Sequence, residues 1–377
     1  WLSTLLLAER FSVRRTLPSF GTAGEPLPYS VVVTSRSRRV LRGLSLAEET
    51  PDPSPSLEAF AAAGAFDAGS SLIDRISGSA RWRGLEAERS IASVSDVSLP
   101  DLPPGGTCEA RAVLVPSRRG RFTLSGVSIA RPDPVGLVNA VSFDPVEQLV
   151  MILPRRYPVP RLELPGTRRY QQGGVSLSSS VGESQEFMSL RDYRPGDPLR
   201  RIHWRSWAKT GRPIVRECQD EFFVRHALVL DTFLDGRPPS AFEEAVSVAA
   251  SFACAILTQE SLLDLLFVGA ESYCFTAGRG LAASQQMLEI LASVEPCRSR
   301  PFSTLRSSVL LRRHALSGVI CVLLAWDDER RELVSRLRGL KVPVVPLVVS
   351  MPGETLPDEG GFHRLEVGRI PEGLAKL

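Results

Sequence analysis

The side chains best able to do chemistry crowd into residues 186–211, EFMSLRDYRPGDPLRRIHWRSWAKTG, a span too short to be a domain. Glu186, Arg191, Asp197, Arg200 and His203 offer complementary charge, and Tyr193 and Trp204 add broad apolar faces carrying one polar atom each. Planar guanidinium groups that meet carboxylates fix orientation through paired hydrogen bonds, and aromatic rings fill the space beside them. This mixture suits a structural joint that locks two separately cored modules together. The same residues could instead receive an acidic loop of a partner. Catalysis is the weakest option, because no nucleophile and base pair stands out.

Nucleic-acid binding has one argument in its favour. Residues 191–216 hold eight basic and two acidic side chains, a local balance of +6, with His203, Trp204 and Trp207 interleaved. Such a run could follow phosphates and stack on bases. Against it, Arg191 and Arg200 have acidic neighbours to pair with, and no recognised nucleic-acid fold pattern is present. An acidic protein surface would explain the same charge. The whole chain carries only +3, so electrostatic arguments here are local. The sequence contains no G-x-x-x-x-G-K-[ST], H-E-x-x-H or G-x-S-x-G, which removes support for P-loop hydrolysis and the common hydrolase routes. AGRGLAAS does present G-x-G-x-x-A at Gly278, Gly280 and Ala283, but a tight turn into a helix accounts for those glycines.

The elements around this stretch set its context. A chain of 377 residues with 43% hydrophobic content is long enough for two cores. Residues 21–160 read as a β-sandwich: PYSVVVTS and TCEARAVLVP alternate, and GRFTLSGVSIARPDP and EQLVMILPR are β-rich runs closed by proline or arginine. Residues 50–96 break that rhythm and read as an insertion with one short Ala-rich helix. Residues 161–221 comprise a Gly/Ser-rich linker and the charged stretch, in which Asp197 is expected to cap a short basic helix that begins at Pro198 and ends at Gly211. From 222 to 377, apolar strands such as HALVLD and SGVICVLLAW alternate with helical patterns, which predicts a doubly wound, mostly parallel α/β domain.

Six cysteines at 108, 218, 254, 274, 297 and 321 show no CxxC spacing, and a reducing compartment fits them. At the start, WLSTLLLAERFSVRR places Arg10, Arg14 and Arg15 after an apolar run. Residues 1–20 therefore read either as a juxtamembrane tail leaving a membrane helix on the positive side or as an amphipathic segment.

EFMSLRDYRPGDPLRRIHWRSWAKTGRPIVRE resembles the signature of the bacterial "domain of unknown function 58" family, and SRRGRFTLSGVSIARPDPVGLVNA is similar to an upstream segment of that family. The resemblance implies an α+β multidomain fold, an N-terminal β-sandwich followed by a von Willebrand factor A-like α/β domain. It also implies two membrane helices ahead of the sandwich, a position at the cytoplasmic membrane with the bulk of the chain facing the cytoplasm, and a MoxR-type AAA+ ATPase as partner. The expected function is a non-enzymatic, membrane-tethered adaptor in protein remodelling or complex maturation.

In von Willebrand A-type domains a D-x-S-x-S run holds a divalent cation. The matching run here is DTFLD, which keeps Asp231 but places Phe233 and Asp235 at the serine positions. Asp235 restores an oxygen, and Asp327 follows the strand expected beside the first, so Asp231, Asp235 and Asp327 are the candidate ligands for Mg²⁺ or Ca²⁺. The alternative is solvated acids capping the helices that follow. A divalent-dependent protein-binding module and a nucleic-acid binder using residues 191–216 remain the rival functions.

Overall fold

Alternating apolar and polar residues make half-buried strands, and two of the best such runs are neighbours in the computed structural model, which describes residues 11–62, 78–132, 138–160, 187–195, 197, 199, 202–218, 225–257, 262–278, 281–357 and 361–377. The chain divides into two compact units, residues 1–155 with 288–294 and residues 156–287 with 295–377.

The first unit is β-rich. One sheet orders β1 (Phe11–Thr16), β3 (Leu27–Ser35), β7 (Thr107–Pro116) and β5 (Ala92–Val94). The antiparallel register sets Val31 opposite Ala110 and Tyr29 opposite Ala112, so the buried positions of both strands share one face. A second sheet orders β10 (Asn139–Asp144), β9 (Gly126–Pro132), β4 (Ser45–Glu49) and β6 (Val97–Ser98). A third joins β2 (Phe20–Thr22), β11 (Gln148–Leu153) and β8 (Gly120–Leu124). Val31 from the first, Leu46 and Ile129 from the second, and Leu124 and Ile152 from the third lie in one continuous core.

Two expectations change here. Residues 11–16, assigned to a juxtamembrane tail, form β1, which pairs with β3 from Phe11↔Ser35 to Thr16↔Ser30. Arg15 is 8% exposed and forks onto Glu48, with Nε to Oε1 at 3.1 Å and Nη2 to Oε2 at 2.5 Å. Tyr29 Oη donates to the same carboxylate at 2.9 Å, so the buried charges are paired and hydrogen-bonded. Among its described residues the insertion at 50–96 holds two helices, α1 (Leu57–Ala62) and α2 (Ser79–Arg89), and its last residues supply β5. Phe60 and Trp82 pack against each other between these helices, with centroids 5.6 Å apart. Residues 1–10 lie outside the described residues, and among those described no helix is long and apolar enough to cross a membrane.

The second unit opens with β12 (Phe187–Asp192), α3 (Trp204–Thr210) and β13 (Ile214–Cys218), where β12 and β13 pair antiparallel. The Gly/Ser-rich linker expected at 170–184 lies outside the described residues, whereas the described part of the charged stretch forms β12 and α3. A six-stranded sheet follows, in the order β16 (Ser272–Ala277), β15 (Leu262–Val268), β14 (Arg225–Leu230), β17 (Gly318–Leu323), β18 (Val344–Ser350) and β19 (His363–Glu366). All neighbours are parallel except β15 and β16, which form an antiparallel edge.

The described helices that follow are α4 (Pro239–Leu257), α5 (Leu281–Ser293, whose residues from 288 are grouped with the first unit), α6 (Ser303–Leu311), α7 (Asp328–Gly339) and α8 (Ile370–Leu374). Ala227 and Val229 pack with Leu305 of α6 and Leu333 of α7 in one cluster. The alternate residues Leu228 and Leu230 are equally buried and point to the other face, where α4 packs on β14. A sheet covered on both faces explains why LLDLLFV is buried at every position. Its one acid, Asp264, accepts from Arg225 Nε at 2.8 Å and Nη2 at 2.9 Å.

Connections from β14 leave toward β15 on one side while β17 lies on the other, so the carboxyl ends of β14 and β17 flank the point where strand order reverses. Gly278, the first glycine of the G-x-G-x-x-A run, follows the antiparallel edge strand β16, away from that point; Gly280 lies outside the described residues.

Candidate functional site

Asp231 is the first residue after β14, and its backbone N–H donates to Val322 O of β17 at 2.9 Å. Its carboxylate is fully buried. Oδ1 accepts from Phe233 N at 3.0 Å and Oδ2 from Leu324 N at 3.0 Å, so the loop after each central strand is tied to one side chain. Asp235 sits in the following turn at φ +47°, beside Gly236 at φ +83°. Asp327 follows β17 and caps α7, its Oδ1 accepting from Arg330 N at 3.0 Å. The carboxylates of Asp231, Asp235 and Asp327 are thus brought together at the switch point, as their spacing along the strands implied.

They converge on a guanidinium. Arg330 Nε donates to Asp231 Oδ2 at 2.6 Å, and Nη2 reaches Asp231 Oδ1 at 3.3 Å, Asp235 Oδ2 at 3.0 Å and Phe233 O at 3.2 Å. Nη1 bonds Asp327 Oδ2, and the guanidinium carbon lies 4.8 Å from the Phe302 ring centroid. Arg330 is 1% exposed.

Burial pushes the Asp231 carboxyl upward, opposed by the Arg330 charge and the Leu324 and Phe233 N–H donors; burial alone would lower Arg330, but Asp231, Asp327 and Asp235 carry it above its usual range. The acids expected as Mg²⁺ or Ca²⁺ ligands, Asp231, Asp235 and Asp327, thus surround Arg330. The oxygens are in place, and a side-chain cation takes the position between them. Among the described residues no group of three His, Cys, Asp or Glu is placed to hold a metal.

Sequence reasoning missed Arg330, although a signal was present. Arg330, Leu333, Val334 and Leu337 are the buried residues of α7 at i, i+3, i+4 and i+7, so the arginine heads the apolar stripe while Arg331 turns outward to pair with Asp328.

The charged stretch has a different construction. Arg191 at the end of β12 grips Asp197 with two nearly parallel hydrogen bonds, Nη1 to Oδ2 at 2.7 Å and Nη2 to Oδ1 at 2.8 Å. Asp197 Oδ2 also accepts from Arg194 N at 2.8 Å. Pro198, where the capped helix was expected to begin, lies outside the described residues. Asp197 clamps the loop back onto its own strand, and α3 begins only at Trp204, with His203 at the N-cap position making no side-chain cap bond. His203 Nδ1 lies 2.6 Å from Ser206 Oγ instead.

Tyr193 N donates to Pro213 O and His203 N to Ile214 O, which hold the loop against β13, and Ile202 and Val215 form the small buried contact beneath. Gly211 ends α3 at φ +70°, in keeping with the expected stop. Glu186 and Arg200 lie outside the described residues.

Trp204 also departs from expectation. Instead of filling a seam it is 64% exposed, stacked on Trp207 at a centroid separation of 5.1 Å and an interplanar angle of 19°. The physical reason is that α3 is a single short helix none of whose residues is buried.

These observations define the class of fold: a mixed α+β chain with a β-rich unit of three sheets and an α/β unit whose central strands end in a charged cluster. Residues 189–366 match the family described as "Protein of unknown function DUF58", a stretch that contains both the Arg191–Asp197 clamp and the Arg330 cluster.

The chain is similar to the uncharacterized protein YeaD of Bacillus subtilis (strain 168), with 27% identity over 187 residues, 49% of this chain and 45% of that protein. It thus spans about half the length of that relative. Among solved structures it is similar to the CARDB domain of the PF1109 protein from Pyrococcus furiosus, at 8% identity and a TM-score of 0.20 over 39% of this chain and 90% of that one. It is likewise similar to the ASH/PapD-like domain of human CEP192, at 11% identity and a TM-score of 0.22 over 39% of this chain and 87% of that one.

Proposed function

We propose that this chain is a non-enzymatic, membrane-tethered adaptor, a β-sandwich joined to a von Willebrand factor A-like α/β unit, that presents a docking surface to a MoxR-type AAA+ ATPase in protein remodelling or complex maturation. The observation that supports it is α3: a helix with no buried residue, bearing the exposed Trp204 stacked on Trp207. Exposed, preordered aromatic rings beside cations are the composition of a protein-binding hot spot, where an apolar anchor is desolvated and charge selects the partner. Arg205, Lys209 and Arg212 are exposed and form no ion pair among the described residues, so they are available to an acidic partner.

The test is co-purification of the membrane-anchored form with the ATPase, with and without ATP. Retention is expected for the wild type and at least a tenfold loss for Trp204→Ala combined with Lys209→Glu, a loss of about 1.4 kcal/mol or more in binding. Absence of retention in both nucleotide conditions would remove the reading.

A second reading, nucleic-acid binding through residues 191–216, draws on the same three exposed cations. It expects retention on DNA or RNA that falls steeply with salt. Retention that is absent, or insensitive to salt, would end it.

A further inference from the structure

The oxygens that a divalent ion would need at the carboxyl ends of β14 and β17 are already arranged around Arg330. We propose that this arginine is a permanent internal cation standing in the place of a metal, so that the sheet edge assembles without divalent ions. Its removal would convert the same oxygens into a divalent-cation site.

Three features of the geometry point this way. First, the cation is enclosed: Arg330 is 1% exposed, with Asp231 fully buried on one side and the Phe302 ring 4.8 Å away. The guanidinium itself occupies the space between the carboxylate oxygens. Second, its contacts are the directional ones of a guanidinium. Nε and both Nη atoms each donate, and the acceptors are both oxygens of Asp231, one each of Asp235 and Asp327, and Phe233 O. A hard divalent ion draws its oxygens in to about 2.0–2.6 Å, whereas a guanidinium holds its acceptors near 3 Å, so the two cannot share this shell.

Third, Phe233 supplies the cluster with a backbone carbonyl while its ring packs edge-on against Phe302, with centroids 5.6 Å apart. The residue that cannot ligate through its side chain thus helps to wall the cation in. An arginine costs the site nothing in metal supply and stays charged at any physiological pH.

The test uses the chain with no partner added, which separates it from the docking proposal. Wild type, Arg330→Ala and Arg330→Lys are titrated with CaCl₂, MgCl₂ and TbCl₃, read by isothermal calorimetry, terbium luminescence and thermal melting with and without EDTA. The wild type is expected to show no saturable binding and no shift of its melting midpoint with EDTA. Arg330→Ala is expected to gain saturable binding and a midpoint that rises by several degrees with Ca²⁺, and Arg330→Lys to show neither.

Saturable wild-type binding that is lost in Asp231→Asn would overturn the proposal. So would a folded Arg330→Ala, verified by circular dichroism, that binds none of the three ions. If Arg330→Ala is unfolded without metal, refolding on Ca²⁺ addition supports the proposal. If it stays unfolded, the wild-type arm decides alone: EDTA insensitivity supports the proposal and saturable binding sinks it.

Discussion

Arg330 Nε donates to Asp231 Oδ2 at 2.6 Å across a sequence separation of 99 residues, and the two side chains are 1% and 0% exposed. The pair ties α7 to the end of β14. A buried ion pair is expensive to half-break, because the survivor is left charged and unsolvated. Arg330→Met or Asp231→Ala alone is expected to cost about 3–5 kcal/mol of stability. The double variant should lose less than the sum of the two, since neither charge is then stranded. Urea midpoints in a double-mutant cycle measure this, and strict additivity would contradict it.

Asp197 is held down to about 2 by the Arg191 fork and then by the Arg194 N–H. Its unfolded value is about 3.9, so the clamp contributes fully above that pH and is lost as pH falls toward 2. The carboxyl carbon shift of Asp197, followed by NMR, should show a midpoint near the folded value. Arg191→Ala should move it up toward the unfolded one, and an unmoved midpoint would show that the fork is not its cause.

His226 in β14 is 6% exposed, and its Nδ1 has no hydrogen-bond partner among the described residues. Burial lowers its pKa, because a charged imidazolium there would be unsolvated. The native state therefore binds fewer protons than the unfolded chain below about pH 6.5, and stability is lost as pH falls through that value toward the folded one. Chemical denaturation at pH 8 and pH 5 should show the wild type weakened at the lower pH. His226→Gln should flatten that difference.

Gly211 terminates α3 at φ +70°, and a Cβ built there meets nothing within 4 Å. Gly211→Ala should therefore cost only the left-handed backbone penalty, about 1–2 kcal/mol, with no steric addition. Gly211→Asn should cost less. Equal losses in thermal melts of the two variants would argue against a purely conformational cost.

How far the sequence carried depends on how local each cause is. β14, β15, β17 and β18 were legible because their strands are apolar over nearly their whole length, and the run between turn signals has one physical solution in a covered sheet. α7 was legible from its apolar spacing and from Asp328 and Glu329 opposite Arg336 and Arg338 along the helix dipole. Helix α2 was not, because its residues SARWRGLEAER carry no continuous apolar stripe, and its packing partner Phe60 lies on α1.

The β12–β13 pairing was equally hidden. Its strands are short and partly charged, and each finds its partner only across the loop and helix between them. Asp197 followed by proline is a local capping signal, but the bidentate grip of Arg191 on its carboxylate depends on how the loop folds back on the strand, which no local pattern encodes.

Residue pattern alone marked the apolar strands β14, β15, β17 and β18, and showed that Asp231 and Asp327 fall after strands expected to be neighbours, because strand and helix periodicity act over a few residues. Only the tertiary structure decided what lies between those acids. The choice between a metal and a guanidinium depends on which face of α7 turns inward and on whether the enclosed space is already filled, and both are set by packing across 99 residues of chain.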